Sequence, residues 1–432
     1  MKIIIKNATL ISMDENREKV EENVDILINN DKIERIEKNI EFINNAKVIE
    51  ATGKIVLPGL INTHAHVPMS IFRETIDGYN LQDWLTKKIW PMEDKLTRDD
   101  IYYASYLSFI EMIKTGCTTI NDMYFLAEDE IKAMEETGIR LQTTRTLMNI
   151  AGDEDGNNRL IELKKLLDEY RNKNDKLTFN VAIHGLYTSN EQYVKKCIEF
   201  AKENDLPVHI HFCENSKEVQ DIKNAYEAEP IQVLKRNFEG VHTILAHSVK
   251  LSEDDIKEMK GMDVAISHCP VSNLKLGCGI AKIEKMLQNG INVSIGTDGQ
   301  GSGSNLDLFE AMKYTALLQK GITENPEVIP SYEVLKMATI NGAKALKLEK
   351  QIGSIKEGKQ ADLIILNIDD VLMKPQNDVI SEIVYNAKGS NVETTIVNGR
   401  VLMENRKLYQ NIKENEIYEK CEEIINRISV NG

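Results

Sequence analysis

The sequence predicts an α/β protein built as a (β/α)8 TIM barrel, with a small β-sandwich domain formed by both chain termini. Eight apolar, β-branched segments recur between residues 55 and 299, and each ends in a polar or ionisable residue. Successive segment ends lie about 33 residues apart on average, which is the length of a strand with its crossover helix. Short β-rich runs flank this region on both sides.

The barrel is predicted to occupy the middle of the chain, because strand-like and helix-like segments alternate there. Apolar residues at helical spacing predict helices over residues 101–114, 191–203 and 253–260. The metal-dependent barrel domain is accordingly placed at residues 58–352. Its strands are predicted at residues 55–66, 117–124, 140–147, 178–186, 207–214, 242–249, 264–270 and 292–299.

The two flanking regions are predicted to complete one small sheet. Residues 1–57 supply the N-terminal part of the sandwich, and residues 353–432 supply its C-terminal part with a terminal helix. That helix, over residues 414–428, has an apolar stripe that is expected to pack on the protein itself, with an oligomer contact as the alternative. The sandwich strands are predicted at residues 2–10, 24–28, 33–36, 47–50, 361–366, 380–385 and 392–403.

Composition restricts the class of function. The 432 residues carry a formal net charge of −15, which disfavours a nucleic-acid or anionic-membrane partner. The N-terminal apolar run is too short for a signal peptide, and no run reaches membrane-spanning length, so a cytoplasmic protein is expected. The six cysteines form no C-x-x-C pair, which argues against a thiolate zinc module and a disulfide framework.

Ionisable side chains are concentrated at the predicted strand ends, where a TIM barrel places its active site. Six of the eight histidines lie at or just before these ends, whereas His209 and His242 lie earlier in their strands and are predicted to be structural. The residues expected to converge are His64, His66, Asp122, Arg145, His184, His211, Glu214, His247, His268 and Asp298.

Four of these residues predict a metal site. His64 and His66 lie two residues apart at a strand end, so their side chains point to the same face. His211 and Asp298, from the fifth and eighth strands, complete a set that suits one divalent metal, zinc first and ferrous iron second, and disfavours calcium or magnesium. Such a metal would lower the pKa of a bound water molecule toward neutrality.

Proton transfer is assigned to neighbouring strand ends. Glu214 lies three residues beyond His211, where its carboxylate can reach the water and the substrate; the alternative is a residue that only supports a ligand, or an exposed loop acid. His247 is predicted to hydrogen-bond the attacking water or the developing charge, or else to orient a ligand. Asp298 could accept the proton of the water while it ligates the metal.

These motifs resemble the amidohydrolase superfamily, in its branch of metal-dependent deaminases. The resemblance spans nearly the whole chain, and the nearest likeness is to the methylthioadenosine/S-adenosylhomocysteine deaminases, which remove the 6-amino group of adenine. It implies hydrolysis of an adenine nucleoside to an inosine product and ammonia, in a homo-oligomer. The residues that carry it are Pro58 to His66, His211, Glu214, His247, Ser267 to Asn273 and Gly296 to Gly299.

The same resemblance implies the substrate contacts. Glu93, in a segment that holds both tryptophans, matches an acid that meets the ribose hydroxyls, although a first-turn helix acid is the alternative. His184 matches a histidine that contacts the purine. Arg145 and Arg159 match two arginines that grip an amino-acid carboxylate, but Arg159 follows a predicted loop over residues 152–158 and could be a solvated helix-start residue.

Alternative functions are distinguished by the residues and motifs that each one requires. A two-metal cyclic-amide hydrolase requires a lysine at the end of strand four, where this chain has His184. Base deaminases of nucleic acids use an H-x-E and P-C-x-x-C zinc motif that is absent here. Aminohydrolases acting on guanine, cytosine or triazines share the metal set and stay open as the main alternative. A non-catalytic binding protein is disfavoured because every expected ligand is present.

Overall fold

A computed structural model describes residues 1–41, 43–75, 77–409 and 412–429 of the chain. Within these ranges the strands alternate with helices in the middle of the chain and cluster at its two ends. The strands are β1 (Lys2–Leu10), β2 (Glu21–Asn29), β3 (Lys32–Glu37), β4 (Lys47–Glu50), β5 (Lys54–Pro58), β6 (Leu60–Ala65), β7 (Cys117–Asp122), β8 (Arg140–Thr143), β9 (Leu177–Phe179), β10 (Val181–Gly185), β11 (Val208–Phe212), β12 (Thr243–His247), β13 (Val264–His268), β14 (Asn292–Ile295), β15 (Leu363–Asn367), β16 (Val392–Val397), β17 (Arg400–Glu404) and β18 (Lys407–Leu408).

The helices cover the outside of the barrel and part of its mouth. None of them, within the described ranges, is long and apolar enough to cross a membrane. Short 3₁₀ helices span Val67–Phe72, Leu186–Thr188, Val371–Met373 and Gly389–Asn391, and a π-helical turn spans Leu85–Ile89. The α-helices are α1 (Leu81–Trp84), α2 (Trp90–Glu93), α3 (Arg98–Lys114), α4 (Ala127–Thr137), α5 (Asp153–Tyr170), α6 (Glu191–Glu203), α7 (Ser216–Tyr226), α8 (Pro230–Asn237), α9 (Glu253–Glu258), α10 (Pro270–Lys275), α11 (Ile283–Gln288), α12 (Gln300–Gly303), α13 (Leu308–Thr323), α14 (Ser331–Met337), α15 (Ile340–Ala345), α16 (Val379–Tyr385) and α17 (Glu414–Ser429).

The central strands form the predicted (β/α)8 barrel. They pair in parallel in two arcs, β6-β7-β8-β9 and β10-β11-β12-β13-β14. The fourth barrel strand is divided at Asn180 into β9 and β10, and a bridge between Leu147 and Ile183 connects the two arcs. The barrel closes where β14 meets β6, with the Thr63 and Ser294 hydroxyls 2.9 Å apart. The predicted fold class is thus confirmed.

Both chain ends contribute to one nine-stranded terminal sheet. Its order is β18-β17-β16-β15-β5-β1-β2-β3, and β4 pairs with β1. An apolar core formed by this sheet contains side chains from both ends of the chain, including Ile26 and Ile365, so neither end could form it alone. The division at residues 57 and 352 stays a prediction.

The segment predicted as one strand over residues 55–66 is two strands. Strand β5 ends at Pro58 and belongs to the terminal sheet, where it pairs with β1 and β15. Strand β6 begins at Leu60 and belongs to the barrel. Gly59 joins them in close contact with β7, because a Cβ at this position would lie 2.1 Å from the Thr118 hydroxyl oxygen. The prediction missed this change of sheet because both strands are apolar.

Residues 380–385 form helix α16 and not the predicted strand. Ile380, Ile383 and Val384 are buried, and this spacing of three and four residues matches a helix face that packs on α13 and α14. Asp378 begins the helix by accepting a hydrogen bond from the Ile380 amide at 3.2 Å. Short β-branched runs do not distinguish helix from strand by composition alone.

Helix α17 packs on the protein itself, as predicted. Its apolar stripe lies against α3 and the 3₁₀ helix Val67–Phe72, and Ile417 and Ile428 are buried there. Arg427 adds an ion pair with Asp100. The C-terminal helix therefore covers the barrel beside the segment that follows β6.

Candidate active site

The four predicted ligands meet at the carboxyl ends of β6, β11 and β14. The Nε2 atoms of His66 and His64 lie 3.1 and 3.4 Å from Oδ1 of Asp298. The Nε2 atom of His211 lies 3.3 Å from that of His66. One ligand atom from each of the four residues falls within 4.8 Å of all the others. The structure therefore brings together the set His64, His66, His211 and Asp298.

Hydrogen bonds at Nδ1, on the side away from the shared centre, orient the rings of His66 and His211. The Nδ1–H groups of His66 and His211 donate to the carbonyls of Met123 and His184, each at 2.6 Å. These bonds leave their Nε2 lone pairs directed at the shared centre. The Nε2 atom of His64 is buried and has no hydrogen-bond partner among the described residues. An orphaned imidazole nitrogen at the centre of such a cluster fits a bound metal ion.

The charges around this centre favour a cation. Burial alone would raise the pKa of Asp298, but the adjacent imidazoles of His64 and His66 hold it well below its usual range. Burial lowers the pKa of His64 to about 3. For His66 burial also acts downward, yet its bond to Asp298 outweighs it and raises the pKa to about 9. A positive charge between the imidazoles and the carboxylate is thus stabilised.

His209 is a partner of a predicted ligand, which the sequence analysis missed. Its Nε2 atom lies 2.9 Å from Nδ1 of His64, and its Nδ1 atom lies 3.2 Å from the side-chain amide of Asn121. The signal was present in the sequence, because residues two apart in a strand share a face and His209 precedes His211 by two. His242 lies apart, where it contacts Asp263 and the Ala345 carbonyl.

Left-handed backbone occurs at three strand ends that carry polar groups. The φ angles are 51° at Cys213, 69° at His247 and 64° at Asp298. Such conformations cost about 1–3 kcal/mol each at non-glycine residues and persist where the surroundings enforce them. These turns lie at or after the ends of β11, β12 and β14, and Glu214, His247 and Asp298 at or beside them line the barrel mouth.

Glu214 lies in the barrel mouth and is almost fully buried. The Cys278 thiol donates to its Oε1 atom at 3.7 Å, and Nδ1 of His247 lies 3.9 Å from the same oxygen. Burial first, and the nearby Asp298 charge second, raise the pKa of Glu214 to about 8. At neutral pH this side chain therefore carries a proton that it can donate.

His247 is held in one tautomer. Its Nδ1–H group donates to Oδ1 of Asn273 at 2.8 Å, so its Nε2 atom is left as an acceptor. Burial lowers the pKa of this imidazole, which keeps it neutral. Asn273 was not identified from the sequence as part of the site, although it lies in the motif after β13.

A cavity of about 540 Å³ opens above the cluster. One wall is the helical segment from α1 through the π turn to α2, which directs Trp84 and Trp90 into the space. His184, Glu214 and His247 line the same cavity. The cavity thus combines aromatic walls with a polar, titratable floor.

Glu93 and His184 line this cavity. Glu93 is the last residue of the four-residue helix α2 and thus a first-turn acid of that helix, whereas α3 begins only at Arg98. The Tyr124 hydroxyl donates to its Oε1 atom at 2.6 Å, and desolvation raises its pKa to about 7. Nδ1 of His184 lies 3.2 Å from the Thr188 hydroxyl, and burial lowers the pKa of this imidazole to about 3.

Arg145 and Arg159 line an outer cavity of about 830 Å³ that shares Trp90, Glu93 and Phe125 with the inner one. Both guanidinium groups lie over the Phe125 ring, at 5.7 and 5.9 Å from its centroid. Their Nε atoms pair with Glu162 at 2.6 Å and Asp155 at 2.7 Å. Nη1 of Arg159 is buried without a hydrogen-bond partner in the part of the chain that the structure describes.

The surroundings of Arg159 differ from the prediction. Residues 152–158 are not a loop, because α5 begins at Asp153 and Gly152 precedes it with a φ of 110°. Three acidic residues in the first turn favour this start through the helix dipole. Arg159 therefore lies in the second turn, with a side chain only 15% exposed.

Two further strand-end residues stay outside the cavity. Asp122 accepts a hydrogen bond from the Val67 amide at 2.6 Å and so supports the chain after β6. His268 is buried, and its two ring nitrogens find no partner within the described ranges. Placement at a strand end was therefore not sufficient to bring these two into the site.

A TIM barrel whose strand ends gather three histidines and an aspartate beside a buried acid has the architecture of a metal-dependent hydrolase. Residues 55–402 match the protein family described as the Amidohydrolase family. The chain belongs to this family, and the resemblance read from its motifs is confirmed.

Curated relatives cover almost the whole chain. It is 41% identical to a 5-methylthioadenosine/S-adenosylhomocysteine deaminase of Thermoanaerobacter pseudethanolicus, over 94% of this chain and 95% of the relative. It is also 41% identical to a 5′-deoxyadenosine deaminase of Methanobrevibacter smithii, over 99% and 98% of the two chains. The structure of an adenosine deaminase from Xanthomonas campestris with bound zinc superposes with a TM-score of 0.92, at 27% identity over 99% and 98% of the chains.

Proposed function

We propose that this protein is a metal-dependent hydrolytic deaminase that replaces the 6-amino group of adenine nucleosides by oxygen and releases ammonia. The observation that carries the proposal is the arrangement of Glu214, His184 and Glu93 around one cavity above the four-residue cluster. The names of the relatives support the same reaction, since four different adenine nucleosides occur among them.

One divalent metal is proposed at the cluster, with zinc preferred and ferrous iron as the alternative. The donor set of three imidazoles and one carboxylate suits both ions. When bound, the ion would supply Lewis acidity that lowers the pKa of a water molecule toward neutrality. The zinc in the Xanthomonas campestris structure favours the first choice.

Glu214, Asp298 and His247 are proposed to handle the protons. Glu214 donates a proton to N1 of the purine as water adds to C6, and its raised pKa keeps that proton available. Asp298 accepts a proton from the water, while the serine hydroxyls of Ser272 and Ser302 hold its other oxygen at 2.6 and 2.7 Å. The Nε2 acceptor of His247 orients the water. Asp298 then passes its proton to the 6-amino group, the C6 hydroxyl returns a proton to Glu214 as the C6–N bond breaks, and ammonia leaves.

Nucleoside recognition is proposed for Glu93 and His184. A carboxylate suits a vicinal diol because each oxygen accepts one hydroxyl hydrogen bond. Glu93 lies at the boundary between the inner and outer cavities, which is where a ribose bound to a buried purine would pass. His184 borders the inner cavity, where its Nε2 atom can contact the purine.

Arg145 and Arg159 are proposed to bind the carboxylate of an amino-acid tail, as in S-adenosylhomocysteine. Two guanidinium groups on one aromatic ring form a concentrated positive site, and Nη1 of Arg159 has no hydrogen-bond partner among the described residues. Glu162 and Asp155 hold only the Nε edges. Nη1 of Arg145 also donates to the Thr146 carbonyl at 3.3 Å, which leaves its Nη2 group and the Nη groups of Arg159 to a ligand.

A substrate panel tests the proposal. The purified enzyme, reconstituted with zinc or ferrous iron, is offered S-adenosylhomocysteine, 5′-methylthioadenosine, 5′-deoxyadenosine and adenosine beside guanine, cytosine and a triazine. Loss of the adenine chromophore with release of ammonia is expected for the nucleosides. Turnover of only guanine, cytosine or the triazine would show that the protein is the alternative aminohydrolase and not an adenine nucleoside deaminase.

A cytoplasmic location and a homo-oligomeric state stay predictions.

A further inference from the structure

Glu218 is a fully buried acid that the proposed reaction does not use. It lies on α7, four residues after Glu214, and none of its surface is exposed. We infer that Glu218 is a positioning residue, which holds the turn that delivers Glu214 to the reacting ring. This inference rests on the proposed function, because it gives Glu218 a role only through the proton transfer by Glu214.

The contact is a carboxylate held by two successive backbone amides. The Cys213 amide donates to Oε1 of Glu218 at 2.9 Å, and the Glu214 amide donates to Oε2 at 2.6 Å. Two neighbouring N–H groups point in the same direction only when the chain turns sharply, as it does at Cys213 with its φ of 51°. The carboxylate therefore fixes the left-handed turn immediately before Glu214.

Ordinary helix capping does not account for this contact. In a capping box, the acid at the third helical position accepts a bond from the N–H of the N-cap residue itself. Asp100 in α3 and Asp255 in α9 do so with Thr97 and Ser252. Glu218 occupies the same position in α7, but it reaches past its N-cap Asn215 to the two preceding residues.

Because Glu218 is buried, its two hydrogen bonds to the Cys213 and Glu214 amides require a carboxylate at this position. A carboxylate without access to water must receive hydrogen bonds from the protein, and these two amides supply them together with the N-terminal end of α7. No water can replace a lost bond easily in such a place. The position of Glu214 is therefore sensitive to the chemical identity of the side chain at residue 218.

The first test is Glu218→Gln. One carboxylate oxygen becomes an NH₂ group that faces a backbone N–H, so one bond is lost and a repulsion replaces it. A displacement of about 1 Å at a reacting group can cost about 10²-fold in rate. We expect kcat to fall by roughly 10²-fold, KM to stay within about twofold, and the metal content to stay at the wild-type value.

A double-mutant cycle separates positioning from general support. If Glu218 acts through the Glu214 carboxyl group, Glu218→Gln should change kcat little when Glu214 is already Gln. A residue that only stabilises the barrel or the metal would lower kcat by the same factor in both backgrounds. Equal factors in the two backgrounds would overturn the inference, as would a normal kcat for the single variant.

Two further variants control the measurement. Asp255→Asn removes a half-buried acid from the same position of another helix, away from the site, and should leave kcat unchanged. If thermal melting shows that Glu218→Gln does not fold, Glu218→Asp is compared in both backgrounds, with the same non-additivity expected.

Two outcomes distinguish failure of the proposed function from failure of this inference. Wild-type protein that deaminates no nucleoside would overturn the proposed function. An active wild type with an inactive Glu214→Gln and a normal Glu218→Gln would overturn this inference alone.

Discussion

The floor and the outer wall of the cavity are built in different ways. The floor consists of His64, His66, His211 and Asp298, which lie at or directly after strand ends and are held by backbone carbonyls and buried hydroxyls. The outer wall carries Glu93, Arg145 and Arg159 on helices and turns, and the acid that pairs with Arg145 is 53% exposed. In such barrels the chemistry can stay constant while the wall selects the substrate.

The largest expected effect comes from breaking the floor. His211→Ala removes a ligand whose Nε2 atom belongs to the cluster, so metal content should fall and deamination of every nucleoside should reach background. Metal analysis and initial rates measure this. His242→Ala is the matched control, since this histidine lies outside the site and should be dispensable for metal binding. Full metal occupancy in the His211 variant would contradict the assignment.

The second expected effect separates proton transfer from metal binding within the floor region. Glu214→Gln keeps the size of the side chain but removes the proton that the raised pKa makes available. Turnover should fall by roughly 10²- to 10⁴-fold for all adenine nucleosides. Metal analysis should show wild-type occupancy. A near-normal kcat would exclude Glu214 as the proton donor.

Sequence reasoning identified the floor because local rules determine it. Alternation in a strand predicts that His64 and His66 share a face, and the barrel rule brings His211 and Asp298 to the same end. The same rules predicted a strand at Ile380 and its neighbours, where the structure has helix α16, because a short apolar run fits a helix and a strand equally well. The division at Gly59 was missed because the next strand is as apolar as the one before it.

The supporting contacts were harder to predict than the site itself. The roles of His209 and Glu218 depend on which ring nitrogen or backbone amide they meet. The contact of Glu218 requires the left-handed turn at Cys213, and nothing in the residue type of a cysteine predicts a positive φ. Arg159 was assigned from a resemblance, and its helix began earlier than predicted.

The third prediction addresses the wall. Arg145→Ala removes one of two guanidinium groups on Phe125, which should weaken binding of a substrate carboxylate and leave the chemistry intact. A charged hydrogen bond contributes about 1.5–3 kcal/mol, so kcat/KM for S-adenosylhomocysteine should fall roughly 10- to 100-fold. For 5′-methylthioadenosine, which has no carboxylate, it should change little.

The two substrates provide the internal comparison for Arg145. Arg98→Ala serves as the control variant, because this exposed arginine pairs with Asp129 at the surface and should affect neither substrate. Equal losses with both substrates would mean that Arg145 supports the cavity and does not bind a carboxylate.

The smallest expected effect is a pH dependence of KM that requires the ribose diol and is assigned to Glu93 in the wall. Desolvation raises the pKa of Glu93 to about 7, so this carboxyl becomes protonated as the pH falls through neutrality. A protonated carboxyl has lost acceptor capacity for the ribose diol, and KM for adenosine should therefore rise about tenfold between pH 8 and pH 6. With 2′,3′-dideoxyadenosine, which has no diol, KM should be flat over this range, and Glu93→Gln should flatten it for adenosine too. An equal rise in KM for both nucleosides would mean that a group in the floor titrates. Glu93 would then not act as a separate, substrate-selecting residue of the wall.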